Sequence, residues 1–198
     1  MKEPQLNVPL IIIDVQKAFD HCSWGNRNNH NAEYNIARLL DVWRETNRPV
    51  IFIKHVSTRK DSLFHFDSEY SQFKDLVLPL KHEIIIEKSV NSAFIGTNLH
   101  GQLTDMGSKR VVITGLTTNH CVETTTRMAG NLGFNPILVS DATATFDRMG
   151  PDGNLYKAED IHTMTLVNLH EEFAEIIDTN TLIEISKVKG ENNDVSYI

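Results

Sequence analysis

The feature that most constrains this chain is a series of short apolar runs, rich in Ile and Val, that scarcely alternate with polar residues. They are VPLIIIDV from Val8, PVIFIKHV from Pro49, EIIIEK from Glu83, RVVITG from Arg110, NPILVSD from Asn135 and TLIEI from Thr181. A strand with one wet face alternates; a run that is apolar at every position needs cover on both faces, as in a parallel sheet between helices. Segments of helical period separate several runs. Ile36, Leu39, Leu40 and Trp43 fall at i, i+3, i+4 and i+7 after Asn31, a candidate cap, and Leu99, Leu103 and Met106 repeat the stripe before Gly107. CVETTTRMAGNL ends at Gly133, and Ala158 to Phe173 carries Leu166, Leu169 and Phe173 on one side. Strand–helix alternation of this kind predicts an α/β fold: a three-layer α/β/α sandwich around a mostly parallel, Rossmann-like sheet of about six strands.

The 198 residues suffice for one substantial core. We read residues 1–198 as a single domain, its core at about 9–185 and a polar tail at 186–198 that is either mobile or an arm for a partner subunit. Acidic residues outnumber basic ones, 26 to 19, for a net charge of −7, and no basic tract offers a track for phosphates, so nucleic acid is not an expected partner. No apolar run approaches the roughly 20 residues that cross a bilayer, which argues against a membrane partner. Only two cysteines occur, Cys22 and Cys121, and MKEPQLN lacks a signal-peptide layout, so a reducing, cytoplasmic setting is expected. Small molecules and further copies of the chain remain as partners. Two stretches break the rhythm, Asp20 to Asn31 and Ser57 to Leu80; each fits a binding loop and a plain solvated connection equally well.

In parallel α/β sheets ligands bind beyond the carboxyl ends of the strands, so residues just after strands come first. Asp14 ends the first run, Lys88 follows EIIIE, and Cys121 follows RVVITG after a short turn. Cys121 also opens a helical segment, where free N–H groups favour a thiolate. Position alone leaves a structural cysteine, a loop-capping aspartate and a solvated lysine as alternatives. A buried Asp14 would need a counterpart such as Lys88. The conjunction of acid, base and thiol is what favours catalysis.

Three separated motifs, IIIDVQKAFD, EKSVNSAFIGTNL and VVITGLTTNHCVETTTRMAGNLGFNPILVSDATATF, resemble those of the isochorismatase-like cysteine hydrolases, which include nicotinamidases and N-carbamoylsarcosine amidohydrolase. The resemblance runs from about Pro9 to Ile185 and implies a triad: Cys121 as nucleophile, Asp14 as acid–base residue, and Lys88 as the cation that positions Asp14 and favours the thiolate. It also implies a cis bond between Leu116 and Thr117, with the backbone N–H groups of Thr117 and Cys121 forming an oxyanion hole. The implied chemistry is acyl transfer through a thioester.

Departures from the family pattern narrow the expectation. Nicotinamidases usually carry an Asp-x-His pair after the second strand and a further His, holding a metal ion. Here FIKHVSTRKDSLFHF has Ile53 in place of the aspartate, and His55 with His65 is a weak ligand set. No metal and no cofactor are therefore expected. Isochorismate hydrolysis itself falls to members that generally lack the cysteine, so Cys121 points to a C–N bond. The expected activity is hydrolysis of a small amide, carbamoyl or ureido compound; the alternatives are a nicotinamidase-type amidase and a catalytically silent binding or assembly protein. Phe19, Trp24, Arg27, Asn28, Phe94 and His120 are the candidate substrate-binding residues, Arg27 to hold a carboxylate or carbonyl and Trp24 to stack on a planar group. For Arg27 and Trp24 a surface ion and a packing ring are equally consistent with the sequence. Cys22 is read as a bystander thiol. Family members commonly associate, so a homo-oligomer, dimer or tetramer, is expected.

Overall fold

The computed structural model describes the backbone of residues 8–191 and the side chains of 8–187. Six parallel strands form the sheet: β1 (Leu10–Ile13), β2 (Val50–His55), β3 (Ile84–Lys88), β4 (Arg110–Leu116), β5 (Asn135–Ala144) and, beyond a small antiparallel hairpin of β6 (Arg148–Met149) and β7 (Leu155–Tyr156), β8 (Glu175–Ile177). Their spatial order is β3-β2-β1-β4-β5-β8. The helices are α1 (Ala32–Glu45), α2 (Leu99–Asp105), α3 (Glu123–Asn131), α4 (Ala158–Leu169) and α5 (Thr179–Glu191).

The absence of alternation in the sequence has a direct cause. Leu10, Ile12, Val50, Phe52 and Val112 pack with Ile36, Leu39, Leu40 and Trp43 of α1 and Leu182 of α5. Their neighbours Ile11, Ile13, Ile51, Ile53, Val111 and Ile113 pack on the other face with Leu99 and Leu103 of α2, Ala129 of α3 and Leu169 of α4. All four residues of β1 are fully buried, and at about 1.5–3 kcal/mol for each buried side chain they anchor both layers. Gly115 lies opposite Ile13 with φ +119°, and a Cβ there would sit 2.0 Å from the Ile13 carbonyl oxygen. Glycine thus permits the close approach of β1 and β4 just where both strands reach their carboxyl ends.

One expected strand is helical. TLIEI lies in α5, and the sixth strand is the preceding EII of Glu175–Ile177. A short apolar run does not by itself distinguish the two periods. Asp178 settles it locally, accepting from both the backbone N–H and the hydroxyl of Thr181 at the start of the helix. The helix also carries the chain through Glu191, so only 192–198 of the polar tail lie outside the described residues. Asn31 stands at the start of α1 without a side-chain capping bond. Among the described residues no helix is long and apolar enough to cross a membrane.

Candidate active site

Asp14, His55 and Lys88 stand at the carboxyl ends of three adjacent strands, with His55 and Lys88 directly paired in the β2–β3 register. Asp14 leaves β1 in a left-handed conformation, φ +52°, which short polar residues tolerate. Cys121 comes from the other side. After β4 the Leu116–Thr117 bond is cis, and Thr118–Val122 makes a π-helical turn, with the Val122 N–H donating to the Thr117 carbonyl, before α3 begins.

These elements meet around one ammonium group. Lys88 Nζ donates to Asp14 Oδ2 at 2.6 Å, to His55 Nδ1 at 3.1 Å and to Cys121 Sγ at 3.3 Å. The side chains of Lys88 and Asp14 are 0% and 1% exposed, so each requires its partner. Among the described residues Asp14 Oδ1 is buried without a hydrogen-bond partner. Burial raises the Asp14 carboxyl above its usual range, against the pull of Lys88. Burial, and then the Asp14 charge, push the Cys121 thiol up to about 12, with Lys88 opposing. This runs against the thiolate-favouring environment that the helical segment led us to expect. Cys121 sits within the π turn rather than at an exposed helix start, and dehydration beside a carboxylate outweighs one cation.

A cavity of about 280 Å³ opens over the group, lined by Asp14, Phe19, Trp24, His55, Phe64, Asn91, Thr117, His120 and Cys121. Phe19 packs at 5.0 Å from Trp24 and 5.3 Å from Phe64, and Trp24 stacks on Phe146 at 5.2 Å, making an aromatic wall. Trp24 Nε1 is spent on the Ala18 carbonyl. His120 Nδ1 lies 3.0 Å from Thr117 Oγ1, and burial, then the nearby Arg148, lower its pKa. The irregular stretches 20–31 and 57–80 thus supply Trp24 and Phe64.

Three candidates stand elsewhere. Arg27 is turned to Glu33 in a two-pronged ion pair, 2.8 and 3.0 Å, and two further donors go to the carbonyls of Asn28 and Asn29, so its charge is committed to Glu33 rather than held for a substrate. Asn28 is buried and ties its loop to the end of β5 by accepting from Thr145 N–H. Phe94, partly buried, stacks on Phe134 at 6.0 Å against the core packed on the α2 side of the sheet, and does not line the cavity. Conversely, His55, Phe64 and Asn91 line the cavity without having been read as substrate-binding. His55 was visible in sequence only as a weak metal ligand; its pairing with Lys88 appears only in the sheet register.

Ligand atoms of Asp14, His55 and Cys121 lie within 4.8 Å of one another, spacing that a metal ion could use. The donor set does not fit one, because the Lys88 ammonium already takes a hydrogen bond to each of the three and a second cation there would meet its charge directly. Ile53, fully buried, fills the position of the missing carboxylate, and His65 Nδ1 accepts from Asp67 N–H instead.

An α/β sheet with a buried acid and base at its strand ends and a half-buried thiol in the turn beyond a third strand defines a hydrolase-type scaffold. Residues 9–181 match the isochorismatase domain, and the chain belongs to the isochorismatase family. It is 53% identical to the uncharacterized isochorismatase family protein YrdC of Bacillus subtilis over 88% of this chain and 93% of that one. Nicotinamidase 3 of Arabidopsis thaliana is 31% identical over 87% and 85% of the two chains. A crystal structure assigned to a hydrolase of the same family, from Chromobacterium violaceum, superposes with a TM-score of 0.91 at 36% identity, covering 95% of this chain and 97% of the other.

Proposed function

We propose that this isochorismatase-family hydrolase cleaves a C–N bond of a small amide, carbamoyl or ureido compound through a thioester on Cys121. The observation that carries the reading is the single buried ammonium bonded to both the Asp14 carboxylate and the Cys121 sulfur at the floor of a small cavity. With the thiol protonated at rest, attack requires a base. Asp14 accepts the thiol proton as Sγ adds to the carbonyl carbon, while Lys88 compensates the charge that forms on sulfur. The oxyanion develops against the backbone N–H groups of Thr117 and Cys121, each donor of this kind being worth about 2.7–4 kcal/mol. Asp14 then returns its proton to the departing nitrogen, leaving an acyl-thioester. Water, deprotonated by Asp14, cleaves the thioester, releasing the acid and restoring the thiol.

Similarity to a named nicotinamidase supports an amide as substrate and favours a nicotinamidase-type amidase as the second reading; the ammonium-centred site supports chemistry without a metal. An ammonia-release screen over amides, carbamoyl amino acids and ureido acids tests both. Expected is a substrate whose turnover vanishes in Cys121→Ala and survives a chelator. Turnover that persists without Cys121 refutes the mechanism, and loss on chelation refutes the metal-free site. We further propose a cytoplasmic homo-oligomer, dimer or tetramer, for which a monomer by light scattering is the contrary result.

A further inference from the structure

We infer that His55 contacts the substrate and sets its specificity: the Lys88 ammonium locks the imidazole as its Nε2–H tautomer, and that N–H selects substrates carrying a hydrogen-bond acceptor close to the scissile amide. This rests on reading the cavity as the hydrolytic site. An ammonium has three donors and no acceptor, so the ring nitrogen facing it, Nδ1, receives a hydrogen bond and carries no proton. The proton of the neutral ring is then on Nε2. Burial, with the Lys88 charge, lowers the His55 pKa to about 4, which keeps the ring neutral near pH 7.

The ring has little freedom to choose otherwise. Gln16, fully buried, accepts from the His55 N–H through Oε1 at 2.9 Å and donates to the His55 carbonyl through Nε2 at 2.9 Å. The following residue, Val56, donates its N–H to the Lys88 carbonyl at 2.8 Å. Phe64 packs edge-on against the imidazole at 5.2 Å. His55 lines the cavity, and among the described residues Nε2 has no hydrogen-bond partner. Around it the cavity presents the rings of Phe19, Trp24 and Phe64 together with Asn91, Thr117 and His120, so a ligand that fills it meets the His55 N–H while offering a flat apolar face to the rings. The fitting class is a small planar amide with a carbonyl, carboxylate or ring nitrogen near the reacting carbon. A purely aliphatic amide leaves the donor unpaired and is disfavoured.

Two measurements on the full chain test this. In 15N-histidine protein, two-bond proton–nitrogen correlations report the tautomer of each ring, with His55 assigned by signals lost in His55→Phe and in His55→Gln. The expected pattern is Nε2–H at neutral pH; an Nδ1–H or imidazolium pattern overturns the proposal, and the wild-type spectrum decides even if a variant folds poorly. For the acceptor, Cys121→Ala protein is titrated by calorimetry with pyridine-3-carboxamide and with benzamide, flat amides that differ in one ring acceptor. The pyridine should bind about three- to tenfold more tightly, the effect of one neutral hydrogen bond, and the preference should vanish when His55→Phe is added. Equal binding, or none of either probe, overturns the acceptor assignment. Neither readout involves turnover, so failure of the hydrolase reading, seen as activity surviving Cys121→Ala, remains separately visible.

Discussion

Glu33, on the first turn of α1, joins the two loops that build the aromatic wall, and its neutralisation should cost several kcal/mol. Its Oε1 accepts from both Arg27 Nη1 at 2.8 Å and Lys74 Nζ at 2.7 Å, and its Oε2 from Arg27 Nη2 at 3.0 Å. Lys74 also reaches Asp20 at 2.6 Å. Arg27 belongs to the 20–31 loop and Lys74 to the 57–80 loop, so one carboxylate holds together the segments that carry Trp24 and Phe64. Burial alone would raise the Glu33 pKa, but the hydrogen bonds from Arg27 and Lys74 prevail and lower it from 4.5 to about 2. At roughly 1.4 kcal/mol per tenfold change in proton affinity this is about 3 kcal/mol, and solvent at the partly open cluster reduces it to about 2–3 kcal/mol. Because the folded pKa lies below the unfolded one, this stability is present above pH 4.5 and is lost as pH falls toward 2. Glu33→Gln should therefore lower the urea unfolding free energy at pH 7 by at least that amount, since two cations lose their counter-charge, and should flatten the fall in stability between pH 4.5 and 2. A loss below about 1 kcal/mol, or an unchanged acid slope in the variant, would refute the clamp.

Other expectations bear on the site and its frame. Arg27→Met should reduce stability by about 1–3 kcal/mol in urea titrations while leaving KM within about twofold, because Arg27 serves Glu33 rather than a ligand; a large rise in KM alone contradicts this. Since the Asp14 charge raises the Cys121 pKa and Lys88 opposes it, Asp14→Asn should abolish turnover yet speed iodoacetamide labelling of Cys121 at neutral pH. Mass spectrometry showing slower labelling than in the wild type would reverse that sign. Gly115→Ala should destabilise the fold by about 3 kcal/mol or more, because both its backbone conformation and the Ile13 carbonyl exclude a methyl group; a variant with native thermal stability would refute the close approach.

Most of the strands and the strand ends were legible because their signals are local. A run such as LIII needs two covered faces wherever it occurs; Asp14 and Lys88 follow such runs directly, and Cys121 follows one after a short turn. TLIEI was not legible, since five apolar-rich residues suit either period and Asp178, just upstream, decides for the helix. Arg27 looked free because nothing nearby in sequence indicates that Glu33 and Lys74 share its cluster. His55 as a cavity residue, and the high rather than low thiol pKa, were equally hidden. Hydrophobic period and chain direction belong to the sequence, so it determined a parallel sheet with an acid, a base and a thiol at one edge. Proton positions, charge pairing and access to the cavity depend on which groups lie within a few ångströms and how much water remains between them. Those quantities join residues tens of positions apart, and only the tertiary structure decided them.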